Sequence, residues 1–123
     1  MKLGFITIHT KDVHASVDFY EKILGFKVVR RFSPRPGGEI AFMDDGSGGT
    51  VEFIKGDGEK VFDGSGVSIG FYVDDIEKTA AFLKSQNVAI VSGPVTVPNG
   101  TKLLGARDVN GLDLGFVQMP KKG

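Results

Sequence analysis

The strongest constraint on the fold is an internal repeat, because the second half of this 123-residue chain follows the first at a constant offset of 63 residues. The matched pairs are Asp12 and Asp75, Phe19 and Phe82, Val28 and Val91, Gly37 and Gly100, Asp45 and Asp108, Gly48 and Gly111, and Phe53 and Phe116. These are capping, turn and core residues, so the repeated object is a structural unit. Two copies predict a fold of two similar halves that share a cleft.

The composition is that of one ordinary globular domain, with 41% hydrophobic and 24% charged residues. The formal net charge is zero and basic residues form no long run, so we expect neither nucleic acid nor a charged membrane surface as a partner. No apolar segment approaches the roughly 20 residues of a membrane helix. The chain has no cysteine, which excludes disulfides, thiol nucleophiles and thiolate metal sites. We expect a cytoplasmic protein.

Each half begins with a strand and a helix. Residues 5–10 and 68–73 are rich in β-branched and aromatic residues and predict strands. Asp12 and Asp75 follow as helix N-caps. Apolar residues at helical spacing come next, and Gly25 and Asn87 stand where the two helices should end.

Three further strand-like segments follow each helix. They are residues 26–32, 39–44 and 50–55 in the first half, and 89–91 with 96–97, 102–106 and 112–119 in the second. The sequence therefore predicts a single α+β domain, 1–123, built of two tandem βαβββ units. The repeats cover about 4–55 and 67–119, a Gly-rich linker covers 56–66, and mixed sheets curl around a cleft with the helices outside.

Strand alternation assigns the faces of these sheets. Ile6, Ile8, Val51 and Phe53 should pack under the helix of the first unit. The residues on the opposite faces should line the cleft and contact a ligand. They are Phe5, Thr7, His9, Glu52 and Ile54 in the first unit, and Ser68, Gly70, Tyr72, Asp113, Gly115 and Val117 in the second.

Two motifs resemble those of a known family. They are the run DVHASVDFY at residues 12–20, followed by LGF at 24–26, and RDVNG at 107–111 before the last strand. With the paired units, they resemble the vicinal oxygen chelate superfamily, which includes glyoxalase I, bleomycin-resistance proteins, fosfomycin-resistance enzymes and extradiol dioxygenases. The resemblance implies the fold, but this fold supports unrelated activities.

The resemblance also implies four metal-ligand positions, which fall on Phe5, Glu52, Ser68 and Gly115. Only Glu52 carries a strong metal ligand, whereas a metal site normally needs three or four. We therefore expect no metal and no other cofactor. A displaced site formed by His9, Glu52 and Asp113 stays open as an alternative. His9 stands where glyoxalase I-like members carry an arginine that binds the glutathione carboxylate, so glutathione recognition is not expected.

Glu52 has two interpretations. It either contacts a ligand, as a general base or as the counter-charge of a cation, or it is paired with Tyr72, His9 or a backbone amide. Phe5, Ile54, Val117 and Tyr72 suggest an apolar pocket, in which Gly70 and Gly115 leave room and Phe32 and Phe42 lie near the rim. Such walls with a carboxylate suit a planar or cationic compound. The alternative is that these aromatic residues pack a dimer interface.

We therefore expect a metal-independent small-molecule-binding protein that resembles bleomycin-resistance-type members and forms a homodimer. One alternative is an enzyme of the superfamily with an altered metal site, such as a glyoxalase I-like lyase or isomerase or a dioxygenase-like protein. Another is a degenerate domain with a dimerisation or regulatory role. The sequence does not fix the ligand or say whether the cleft forms within one chain or between two.

Overall fold

Ten elements follow one another in the order βαβββ, twice, in a computed structural model that describes residues 1–55 and 60–121. They are β1 (Ile6–His9), α1 (Val13–Lys22), β2 (Lys27–Phe32), β3 (Glu39–Asp44), β4 (Thr50–Lys55), β5 (Ser68–Tyr72), α2 (Ile76–Ser85), β6 (Ile90–Thr96), β7 (Lys102–Arg107) and β8 (Asp113–Gln118). The helices, the third strands and the fourth strands of the two halves keep the 63-residue offset. The predicted tandem βαβββ architecture is confirmed.

The chain divides into two compact units, Met1–Phe62 and Asp63–Gly123. Part of the predicted linker, residues 56–59, lies outside the described residues. At the end of the first unit, the Phe62 backbone N–H donates to the His9 carbonyl oxygen at 2.8 Å. This part of the predicted linker therefore lies beside the end of β1.

Each unit contains one four-stranded mixed sheet, with strand order β1-β4-β3-β2 in the first and β5-β8-β7-β6 in the second. The first strand of each unit pairs in parallel with the last, and the other pairings are antiparallel. Parallel neighbours need a long connection, and here the helix and the next two strands provide it.

Both helices begin at the predicted aspartates. Asp12 and Asp75 have extended backbones, and their carboxylates accept the backbone N–H of Ala15 and Lys78 at 2.9 and 3.0 Å. The same side chains satisfy N–H groups that a helix start would otherwise leave without partners. Beyond the helix ends, Gly25 has φ +76° and Asn87 has φ +61°, so the predicted left-handed positions are present in both units.

The core of the first unit lies between α1 and its sheet. Tyr20 is completely buried, and its ring centroid lies 4.8 Å from that of Phe53 and 5.5 Å from that of Phe26. In the second unit, α2 buries Ile76, Ala80 and Leu83. The expectation for Ile6 was wrong, because this residue is 46% exposed. It opens an edge strand, where only one neighbouring strand covers it.

The two predicted segments 89–91 and 96–97 are one strand, β6. Within it, Gly93 has φ +79° and the bond from Gly93 to Pro94 is cis. The register with β7 shifts between Ile90 and Ser92 and again between Ser92 and Val95. A glycine followed by a proline reads as a break in sequence, but bulges at an edge strand accommodate both residues.

The hairpin loops of the two units are also closed by equivalent aspartates. Asp45 Oδ1 accepts the backbone N–H of Ser47 and Gly49, and Asp108 Oδ1 accepts those of Asn110 and Leu112. The Ser47 N–H, followed by that of Gly49, holds the pKa of the Asp45 carboxyl below its ordinary value. The repeat thus preserves hydrogen bonds as well as residue types.

We predict that Asp12→Ala and Asp75→Ala each lower the free energy of unfolding by about 1 kcal/mol, because each exposes a helix start without its cap. Urea unfolding at neutral pH measures the change. Asp18→Ala is the matched control, since it removes only the exposed ion pair with Lys22 one turn later, worth about 0.3–0.5 kcal/mol. Equal losses in the three variants would contradict a capping role.

Candidate functional site

The predicted site residues of the first unit lie on the face of its sheet that does not carry the helix, here called the helix-free face. In the parallel pair of β1 and β4, Thr7 is opposite Glu52 and His9 is opposite Ile54. Phe5 directly precedes β1. The structure therefore brings these five residues together as neighbours on two adjacent strands.

Glu52 is buried, with 7% of its surface exposed, and its Oε1 accepts a hydrogen bond from Thr7 Oγ1 at 2.5 Å. Burial of a carboxylate is costly unless hydrogen bonds compensate for it. The sequence proposed Tyr72, His9 or a backbone amide as partners, but the structure gives Thr7 this role. The parallel register was the missing information, because alternation alone does not say which residues stand opposite.

Two aromatic rings lie on the same face of the sheet as Glu52. The ring centroids of Phe5 and Phe42 lie 5.4 Å apart in an edge-to-face arrangement. Phe42 is on β3 and stands opposite Glu52, while Phe5 is on the β1 side, so β4 runs between them. Strands two positions apart are separated by about 9–10 Å. The two side chains must therefore reach toward each other over β4.

Arg30 is on the same face, although it was not among the predicted site residues. Arg30 and Arg31 belong to β2, within the predicted strand 26–32. Arg30 stands opposite Phe42, and its guanidinium carbon lies 4.5 Å from the ring centroid of Phe32. Arg31 forms an ion pair with Glu39 at 2.6 Å.

The predicted residues of the second unit are paired in the same way. In the parallel pair of β5 and β8, three cross-strand pairs form: Ser68 with Asp113, Gly70 with Gly115, and Tyr72 with Val117. The Asp113 carboxylate accepts from Arg107 Nε at 3.0 Å, an ion pair that sequence reasoning missed. Tyr72 is 83% exposed.

The repeat makes the two helix-free faces directly comparable. In the first unit, the cross-strand row Thr7, Glu52 and Phe42 carries a hydroxyl, a carboxylate and an aromatic ring. In the second unit, the equivalent row consists of Gly70, Gly115 and Gly105. A Cβ added at Gly70 or Gly115 would meet no atom within 4 Å, whereas one at Gly105 would meet the Ser92 hydroxyl. The row of the first unit thus carries polar and aromatic side chains, whereas the equivalent row of the second unit, here called the bare row, consists of glycines without side chains.

The residues do not fit the metal site that the resemblance implies. Across residues 1–55 and 60–121, no group of three or more His, Cys, Asp or Glu side chains could hold a metal ion. The alternative metal site consisted of His9, Glu52 and Asp113. Two of its carboxylates already have partners, since Glu52 accepts from Thr7 and Asp113 pairs with Arg107. Of the four positions that the resemblance implies, Phe5 and Gly115 have no side-chain atom that could ligate a metal.

Neither α1 nor α2, the helices of the described chain, is long and apolar enough to cross a membrane.

Comparison with known proteins gives concordant results. A family model described as "Glyoxalase/Bleomycin resistance protein/Dioxygenase superfamily" matches residues 2–116. The uncharacterized protein YwbC of Bacillus subtilis (strain 168) is 29% identical over 116 residues, which cover 90% of this chain and 92% of that protein.

Solved structures agree at the level of the fold. A glyoxalase family protein from Bacillus cereus is 17% identical with a TM-score of 0.82, over 98% of this chain and 95% of that one. A glyoxalase I mutant from Zea mays is 24% identical with a TM-score of 0.82, over 98% of this chain. The match spans 46% of the maize chain, so the present chain covers about half of that chain's length.

We predict opposite effects of alanine at two glycines of the second unit. Gly115→Ala should raise the free energy of unfolding by about 0.5–1 kcal/mol, because its Cβ enters open space within a strand. Gly93→Ala should lower it by about 2 kcal/mol or more, since φ is +79° and the new Cβ would lie 2.5 Å from the Leu103 carbonyl oxygen. Urea unfolding measures both, and a destabilised Gly115→Ala would contradict the bare row.

Proposed function

Because the chain belongs to the glyoxalase/bleomycin resistance protein/dioxygenase superfamily, we propose that it is a metal-independent small-molecule-binding protein of the bleomycin-resistance type. The ligand is held on the helix-free face of the first unit. The observation that carries this proposal is the buried Glu52 carboxylate, which accepts a hydrogen bond from Thr7 and lies on the same sheet face as the paired Phe5 and Phe42 rings.

This arrangement has the chemistry of a binding site. Pockets for small molecules combine mostly apolar walls with a few fixed polar groups that orient the ligand. Phe5, Phe42 and Ile54 supply apolar surface, and the hydrogen bond from Thr7 fixes the orientation of the carboxylate. His9, opposite Ile54 in the next row, extends the polar part of the same face.

We also propose that the helix-free face of the second unit contacts a ligand. Its ligand-contacting residues are Ser68, Gly70, Tyr72, Asp113, Gly115 and Val117. The bare Gly70 and Gly115 leave space for a ligand, and Tyr72 and Val117 supply apolar surface beside them. We further propose a cytoplasmic homodimer, since an isologous pair is the commonest assembly.

Thermal unfolding with a panel of small molecules and divalent ions tests this function. We expect no stoichiometric metal in the purified protein and no rise in Tm with zinc, nickel, manganese or iron. A ligand at 100 times its Kd should stabilise the protein by about 2.7 kcal/mol. Thr7→Val should reduce that stabilisation, because it removes the donor to Glu52, whereas Thr96→Val, an exposed threonine of β6, is the matched control.

Three outcomes would contradict the proposal. A stoichiometric metal in the purified protein would indicate that it uses a metal as other members of the superfamily do. Conversion of a bound compound, lost in Glu52→Gln, would indicate an enzyme with Glu52 as its base. Absence of any response to the panel would favour a dimerisation or regulatory domain.

A further inference from the structure

We infer that the ligand of the first unit is a small organic cation that carries an N–H donor and an apolar or aromatic body. Its ammonium or amidinium group binds the Glu52 carboxylate, and its body packs against the Phe5 and Phe42 rings. This inference rests on the proposed function and specifies its ligand class.

The first argument is charge. Ion pairs among the described residues include those of Lys22 with Asp18, Arg31 with Glu39 and Arg107 with Asp113. Glu52 has no ion-pair partner among the described residues, although it is more buried than Asp18, Glu39 or Asp113. A buried carboxylate without a counter-charge is unfavourable. A cationic ligand would supply the missing charge.

The second argument concerns an arginine in the same cross-strand row as Glu52. Arg30 stands opposite Phe42, in the same cross-strand row as Glu52. Its guanidinium nevertheless lies over the Phe32 ring, one row further along the sheet. The protein's own arginine is therefore engaged by an aromatic ring, and the place beside Glu52 is left to another cation.

The third argument is the geometry of the carboxylate. The bond from Thr7 uses Oε1, and within the described part of the chain Oε2 accepts no hydrogen bond. No fully buried side-chain oxygen or nitrogen of the described residues lacks a partner. Oε2 must therefore remain accessible from outside. An oriented, accessible carboxylate oxygen in an otherwise buried side chain is an acceptor for an incoming N–H group.

The fourth argument is the aromatic surround. Phe5 and Phe42 meet edge to face, so their planes are nearly perpendicular at 86°. Aromatic faces attract cations through their negative quadrupole, and apolar rings on the same sheet face as a carboxylate suit a ligand with an apolar body. An anion would be repelled by Glu52. A bare metal ion would find a single carboxylate, which is too few ligands.

Four probes of the same size and different charge test the inference on the intact protein. They are benzylamine, benzamidine, benzyl alcohol and benzoate, titrated by calorimetry and by amide NMR. We expect the two cations to bind at least tenfold more tightly than benzyl alcohol, benzoate not to bind, and benzylamine to shift the amide signals of Thr7, Phe42 and Glu52.

Glu52→Gln should weaken benzylamine and benzamidine at least tenfold and leave benzyl alcohol unchanged, because it removes the charge at nearly constant shape. Glu39→Gln is the matched control, a carboxylate of the same sheet already paired with Arg31, and should change none of the four. The NMR map of the unmodified protein decides the case if Glu52→Gln does not fold.

Equal or tighter binding of benzyl alcohol or benzoate, cation binding that Glu52→Gln leaves intact, or shifts confined to other surfaces would each overturn the inference. In those cases small-molecule binding itself would stand. If no probe and no member of the wider panel binds, the inference and the proposed function both fail.

Discussion

The parallel pairing between the first and last strand of each unit is the contact on which the candidate site depends. It places Thr7 opposite Glu52 and His9 opposite Ile54, although 45 residues separate the members of each pair. A shift of the register by one residue would turn every side chain of β1 to the other face. The helix and the two middle strands thus fix the chemistry of the site indirectly, by fixing the relative position of β1 and β4.

Local signals in the sequence were sufficient for the scaffold. The caps at Asp12 and Asp75 and the left-handed residues Gly25 and Asn87 depend on hydrogen bonds and backbone angles within a few residues. The repeat then confirmed each signal in a second copy. Strand faces followed from the two-residue period, so the position of Glu52 on the helix-free face was predictable as well.

Contacts between distant residues were not predictable in the same way. The hydrogen bond from Thr7 to Glu52 depends on the register of β1 and β4. The pairing of Arg30 with Phe42 follows a register shift between Val28 and Arg30. The segment around Gly93 and Pro94 read as an interruption because local preference opposes a strand there. Pairing with β7 overcomes that preference, which a single strand's sequence does not reveal.

The contrast between the two equivalent cross-strand rows affects how sequence differences among related proteins are interpreted. One backbone geometry carries threonine, glutamate and phenylalanine in the first unit and three glycines in the second. Folding therefore does not dictate the side chains at these positions. Variation in this row should report selection for what each protein binds, whereas variation at the aspartates of the caps and hairpin loops should report selection for stability.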